Sequence, residues 1–173
     1  LNGQEEGRAL ASVLLGDYNP AGRLVQTWPR DLQQLPAMMD YDIRHGRTYM
    51  YFDGKPLYPF GYGLSYTTFS YKGLKLPQNT IKAGDPLTVE VTVTNTGKRE
   101  GDEVAQLYLS FPKVSGAPLR AMRGFTRVHL KPGESQKVRF VLKERDLGMV
   151  SDAGELMIAE GQYSLFVGGG QPN

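Results

Sequence analysis

The clearest pattern in the chain is a strict alternation of apolar and polar positions. Leu87, Val89, Val91 and Val93 alternate with Thr88, Glu90, Thr92 and Thr94. Successive side chains of a strand point to opposite faces, so this run predicts a strand with one buried face. Asn95-Thr96-Gly97 supplies turn residues at its end. Ala105, Leu107, Leu109 and Phe111 repeat the pattern against Gln106, Tyr108 and Ser110, and Val138, Phe140 and Leu142 repeat it again. Before that third run, Lys131-Pro132-Gly133-Glu134 places Pro and Gly at the centre of a turn, which predicts type II geometry. Tyr163, Leu165 and Val167 form the last alternating run, ahead of Gly168-Gly169-Gly170. Weaker strand signals cover Phe69 to Leu76, Met122 to Leu130 and Leu147 to Ile158.

About seven short strands with turns between them, in roughly 100 residues, predict an antiparallel β-sandwich of the immunoglobulin or fibronectin type III-like kind. The chain before them reads differently. Gln4 to Leu15 predicts a helix, with Glu5 and Glu6 at its positive end and Ala9, Leu10, Val13 and Leu14 at helical spacing. Gly16 suits its C-terminal cap. Gly22 to Pro29 offers at most one short extended piece. One helix and one short strand are not a domain, so this part is expected to belong to a domain whose other elements lie upstream. Between the two parts runs Pro56 to Phe69, PLYPFGYGLSYTTF, with five aromatics threaded through two prolines and two glycines. Proline fixes φ and glycine permits positive φ, so regular helix is excluded there. Aromatics bury large areas, and the segment is read as a packed junction between two parts of a larger protein.

Composition narrows the chemistry. The 173 residues are 40% hydrophobic and 22% charged, with a net charge of +2, an ordinary globular composition with no charged segment that would grip nucleic acid. Arg120, Arg123, Arg127 and Lys131 are read as a solvated strand face. No apolar run reaches membrane-spanning length. The absence of cysteine excludes disulfides, Cys-ligated zinc and thiol catalysis. His45 and His129 are the only histidines, neither sits in a metal-ligand motif, and no nucleotide-binding motif precedes a helix. No cofactor or metal is expected. The paired carboxylates Glu5-Glu6, Asp102-Glu103 and Glu144 with Asp146 lie in polar surroundings, whereas a catalytic acid needs burial or a neighbouring charge to raise its pKa. The residues alone therefore assign no catalytic group.

Asp40 to Asp53, DYDIRHGRTYMYFD, is the one stretch with binding character. Arg44, His45, Arg47, Tyr49 and Tyr51 could form a sugar-contacting surface; Arg47, Tyr49 and Tyr51 are its candidate substrate-binding residues. The bland alternative, an irregular wrap whose aromatics anchor on another domain, is preferred. Tyr108 and Phe166, opposite the apolar stripes of their strands, are the candidates for an exposed aromatic platform on the sandwich.

The ordered blocks GQEEGRALASVLLGDYNPAGRL (Gly3 to Leu24), TWPR (Thr27 to Arg30), PLYPFGYGLSYTTF, VTVTNTGKREGDEVAQLYL (Val91 to Leu109) and LRAMRGFTRVHLKPGESQKVRF (Leu119 to Phe140) resemble the C-terminal end of glycoside hydrolase family 3 enzymes, which include β-glucosidases and β-xylosidases. The resemblance covers nearly the whole chain. It implies three parts: 1–30 as the C-terminal remnant of an α/β sandwich domain, 31–68 as a Tyr-rich linker, and 69–173 as a fibronectin type III-like domain. The fold expected is thus mostly β, an antiparallel sandwich preceded by a helix and short strand left over from the α/β domain. The family's reaction is hydrolysis of terminal non-reducing β-glycosides with retention, by a nucleophilic carboxylate and an acid/base carboxylate. In the family both precede the region that this chain resembles, so no catalytic residue is carried over. The implied partners are upstream catalytic domains of the same polypeptide and, through them, an oligosaccharide. Gly46-Arg47-Thr48-Tyr49 resembles a β-xylosidase element, while the sandwich blocks resemble β-glucosidases equally. A periplasmic or secreted location is the family expectation. The competing reading is a free-standing β-sandwich carbohydrate-binding or interaction module, against which the orphan helix and the GDYNPAGRL block argue.

Overall fold

The computed structural model describes residues 3–172; Leu1, Asn2 and Asn173 lie outside the described residues. Helix α1 spans Glu6–Leu15 and ends at Gly16, which takes left-handed backbone angles and returns its N–H to the Val13 carbonyl. The expected helix is present, two residues shorter at its start. None of its residues is buried. Residues 17–68 contain no long strand. A short 3-10 turn at Leu32–Gln34 is capped by Asp31, whose carboxylate accepts from the N–H groups of Gln33 and Gln34.

The sandwich follows: β1 (Phe69–Lys75), β2 (Leu87–Asn95), β3 (Gly101–Ser110), β4 (Ala121–Leu130), β5 (Ser135–Leu142), the short helix α2 (Glu144–Leu147), the two-residue strands β6 (Met149–Val150) and β7 (Leu156–Met157), and β8 (Ser164–Gly168). One sheet has the order β1-β2-β5 and the other β4-β3-β8, all antiparallel. The alternating runs set the register. Val89 lies opposite Phe140 and Val91 opposite Val138, so the apolar stripes of β2 and β5 share one face. Those stripes meet Ala105, Leu107, Leu109, Val128 and Leu130 from the second sheet in a single core. Between β4 and β5, Glu134 donates its N–H to the Lys131 carbonyl at 2.9 Å and Gly133 has φ 77°, the positive angle that the type II turn requires.

One expected strand fails. Leu147 to Ile158 forms the end of α2 and the β6–β7 hairpin, which joins neither sheet. Gly148 and the Asp152-Ala153-Gly154 turn interrupt the apolar run, so its residues cannot alternate across a sheet face.

A candidate docking interface

The aromatic junction forms the centre of an extended strap held on the sandwich. Its outer half pairs with the segment after α1. Leu24 donates its N–H to the Tyr62 carbonyl, Gly61 to Leu24 and Trp28 to Tyr58, all at 2.8–2.9 Å. The prolines and glycines that exclude helix leave the backbone extended, and this irregular ladder meets its hydrogen-bonding needs. The Trp28–Tyr58 bridge is the short extended piece that Gly22 to Pro29 predicted.

Polar side chains from the sandwich hold the inner half. Gln106 donates to the carbonyls of Gly61 and Gly169, both at 3.1 Å, and its own carbonyl accepts the Tyr108 hydroxyl at 2.6 Å. The approach is so close that a Cβ on Gly61 would lie 2.2 Å from Gln106 Oε1, and Gly61 has φ +76°. Only glycine fits there. Tyr49 stacks on Phe60 with centroids 4.0 Å apart, meets the edge of Tyr108 at 6.3 Å, and accepts the Met122 N–H at 3.0 Å. A second anchor is the ion pair Arg23–Glu103 at 3.0 Å. The same guanidinium donates to the Gly169 carbonyl, and Tyr71 donates to the same carboxylate oxygen at 3.1 Å. Burial, with the Glu103 charge and hydrogen bond, pushes the Tyr71 hydroxyl well above its usual range. Asn19 accepts from Ser65 and the Tyr66 N–H and donates to the Glu100 carbonyl. Buried Asn95 accepts the Thr67 hydroxyl at 2.7 Å and donates to the carbonyls of Arg99 and Leu130.

These contacts correct several expectations. Tyr108 is no exposed platform: it is 1% exposed, because the strap covers the sheet face that it shares with Gln106. Phe166 is exposed as expected, at 41%. Glu103 is buried rather than solvated, and neutralised by Arg23. Its neighbour Asp102 is bound by Arg127 and His129. Partial burial pushes the Asp102 carboxyl up, but the hydrogen bonds from His129 and Arg127 outweigh it and hold the group below the usual carboxylate range, the wrong direction for a catalytic acid. Arg127 and Lys131 are solvated, whereas Arg120 and Arg123 are half-buried. Arg123 donates to the Gly148 carbonyl at 2.7 Å and lies 5.2 Å from the centre of the Phe111 ring. Burial pushes both guanidinium groups down.

Of the residues in the binding-like stretch, Tyr51 donates to the Gly116 carbonyl at 3.2 Å, and Arg44 pairs with Asp152. Arg47 turns inward on its own loop, donating to the carbonyls of Ala37, Met38 and Asp40 and lying over the Tyr41 ring. His45 bonds Asp40 at 2.6 Å; that bond, with the Asp40 and Asp42 charges, pushes its pKa up. The three candidate residues thus hold three different places: Arg47 inside an exposed loop, Tyr49 under the strap, Tyr51 against the loop at Gly116. The loop presents apolar side chains to solvent, with Met38 86% exposed and Met39 and Tyr41 close behind, next to the exposed Asp42, Arg44 and His45. Leu10, Leu14, Val25, Trp28 and Leu64 are exposed as well. Large apolar patches of this kind are uncommon on the surface of a monomeric protein.

Residues 1–66 match the family model of the glycosyl hydrolase family 3 C-terminal domain, and residues 103–171 match that of the fibronectin type III-like domain. The chain resembles the C-terminal part of family 3 glycosyl hydrolases. It is 40% identical to a β-xylosidase of Formosa agariphila, covering 96% of this chain and 24% of that protein. It is 39% identical to a periplasmic β-glucosidase of Salmonella typhimurium, covering 96% of this chain and 23% of that protein. The solved structure of β-glucosidase 3B from Thermotoga neapolitana in complex with α-D-glucose superposes with a TM-score of 0.84 at 35% identity, over 99% of this chain and 26% of that one. The chain therefore spans about a quarter of the length of these relatives. Among the described residues no helix is long and apolar enough to cross a membrane, and no cluster of three His, Asp or Glu could hold a metal ion.

Proposed function

We propose that this region is the docking and support module of a retaining exo-β-glycosidase that releases terminal β-glucosyl or β-xylosyl residues. One observation carries the reading: residues 10–66 are held on the sandwich by buried polar anchors while presenting a broad apolar surface to solvent. A strap of that kind has its own side satisfied and needs a partner on the other. The partner proposed is the family's catalytic domains, which supply both carboxylates of the double displacement. Arg47 then acts by bracing the loop that carries Met38, Met39 and Tyr41 against those domains, and Tyr49 and Tyr51 by fixing the strap. On this reading 1–30 is the C-terminal remnant of the α/β sandwich domain, 31–68 the Tyr-rich linker and 69–173 the fibronectin type III-like domain. The periplasmic relative supports a periplasmic or secreted location.

The test is turnover of aryl β-glucoside and β-xyloside by the purified chain, beside a polypeptide that joins it to the catalytic domains. No turnover by the chain and turnover by the joined polypeptide are expected, with the better substrate naming the sugar. Turnover by the chain alone overturns the proposal.

A further inference from the structure

The two outward faces of the sandwich differ. The strap lies on the β4-β3-β8 sheet, over Gln106 and Tyr108. The β1-β2-β5 sheet is on the opposite side, and its register fixes which side chains it turns outward. Val89, Val91 and Val93 are buried, so Thr88, Glu90, Thr92 and Thr94 take the outer face. Across that face Lys72 and Lys137 flank Thr92, and Lys75 and Arg139 flank Glu90. Four exposed cations thus share a flat three-stranded surface with one carboxylate. Arg139 reaches that carboxylate only at 3.9 Å. Among the described residues, Lys72, Lys75 and Lys137 have neither an ion pair nor a side-chain hydrogen bond.

The spacing of these charges is open. Neighbouring strands lie about 4.8 Å apart and alternate residues of one strand about 6.8 Å apart, so Lys72 and Lys137 stand roughly 10 Å apart at the backbone, and Lys137 and Arg139 roughly 7 Å. Hydroxyl groups fill the intervals: Thr92 lies between two lysines, and Thr94 shares a hydrogen bond with Ser135 at 2.7 Å. A DNA strand carries its charges about 3.4 Å apart, far more densely. No position that the register assigns to this face is aromatic, so bases would find nothing to stack on. Val141 is the one apolar side chain among those positions, too little to enter a lipid interface. Widely spaced cations with hydroxyls between them suit a polymer of sparse carboxylates and many hydroxyl groups.

We propose that the outer face of the β1-β2-β5 sheet binds acidic polysaccharide, a polymer whose sugars carry uronic-acid carboxylates. The lysine ammonium groups and the Arg139 guanidinium would meet the carboxylates, and the threonine and serine hydroxyls would meet sugar hydroxyls. The face lies across the sandwich from the strap, so the polymer leaves the proposed domain partner its own side. This binding is independent of the glycosidase reading, and either can fail without the other.

The probe is sodium polygalacturonate, followed by affinity electrophoresis of the purified chain, with fully methyl-esterified polygalacturonate as the uncharged control. Polygalacturonate is expected to retard the chain, the ester to leave it free, and added salt to release it. Lys72→Gln combined with Lys137→Gln should weaken binding at least about tenfold. Lys55→Gln combined with Lys113→Gln removes the same charge elsewhere and should leave binding unchanged. All four lysines are exposed, so both variants keep the fold. Absence of retardation overturns the proposal, as does equal weakening in both variants, which would mean net charge only. Equal retardation by the ester would overturn the recognition of carboxylates. Tighter binding to a short DNA duplex or to phosphatidylserine vesicles, lost in the Lys72 and Lys137 variant, would make the face a nucleic-acid or lipid surface and overturn the assignment to polysaccharide.

Discussion

Leu107 and Leu14 are the same residue type in two regions of one chain. Leu107, on β3 between two sheets, has no exposed surface; Leu14, on α1, is 70% exposed. The same contrast separates the whole sandwich core from the outer surface of residues 10–66. In the sandwich the inward stripes of the two sheets bury one another in one core. In α1 and the strap only the polar and aromatic inner side is satisfied. The difference separates side chains that stabilise the fold from side chains that, on the function proposed above, are left for a partner domain to cover.

The largest effect should come from breaking the closed region. Leu107→Ala is expected to cost about 2–5 kcal/mol in urea unfolding, by lost transfer energy and the cavity left behind. Leu14→Ala and Met38→Ala should each stay within about 0.5 kcal/mol in the chain alone, because neither fills a packed space; in a polypeptide carrying the catalytic domains both should weaken domain association. Of the same order is Arg23→Ala, which leaves the buried Glu103 carboxylate without its counter-charge. Breaking such a pair costs about 3–5 kcal/mol, and the strap should become cleavable by protease before the sandwich does. Asn95→Ala leaves the Leu130 and Arg99 carbonyls and the Thr67 hydroxyl without their partner, and should cost about 1–3 kcal/mol by thermal or urea unfolding.

The smallest effects are electrostatic and sharpen the same contrast. Asp102 has its pKa depressed in the folded state, so its contribution is present above the unfolded value near 3.8 and is lost as pH falls through the folded value below that. Arg127→Ala should therefore move the acid-unfolding midpoint upward. His45 has its pKa raised, so its bond with Asp40 contributes fully below the unfolded value of 6.5 and fades as pH rises through the folded value above it. An NMR titration should show the raised pKa returning toward 6.5 in Asp40→Asn. Because His45 is exposed and this bond ties it to Asp40 within one loop, that loop should loosen as pH rises through the folded value.

Much of the fold was legible because period-two alternation is a local property. Leu87 to Val93, Ala105 to Phe111 and Val138 to Leu142 announce which residues face inward, and Lys131-Pro132-Gly133-Glu134 announces its turn, without reference to distant residues. The docking surface was less legible. Met38, Met39 and Tyr41 carry no periodicity, and their exposure depends on Arg47 folding back on the carbonyls of the same loop. Arg23 and Glu103 are 80 positions apart, and nothing near either one announces the other.

Alternation determined that Gln106 and Tyr108 point away from the core, and it was right about the face. Only the tertiary structure decided that this face is covered, since Tyr49 and the Phe60-Gly61 part of the strap, which bury it, are distant in sequence. The amino-acid sequence determined the inward stripes, the capped helix and the irregular aromatic junction, because steric limits and burial act there over a few neighbouring residues. Tertiary structure decided which polar groups are buried and which carboxylate is neutralised. Those outcomes depend on what a distant segment places against each residue, and desolvation is set by that neighbour rather than by the residue itself.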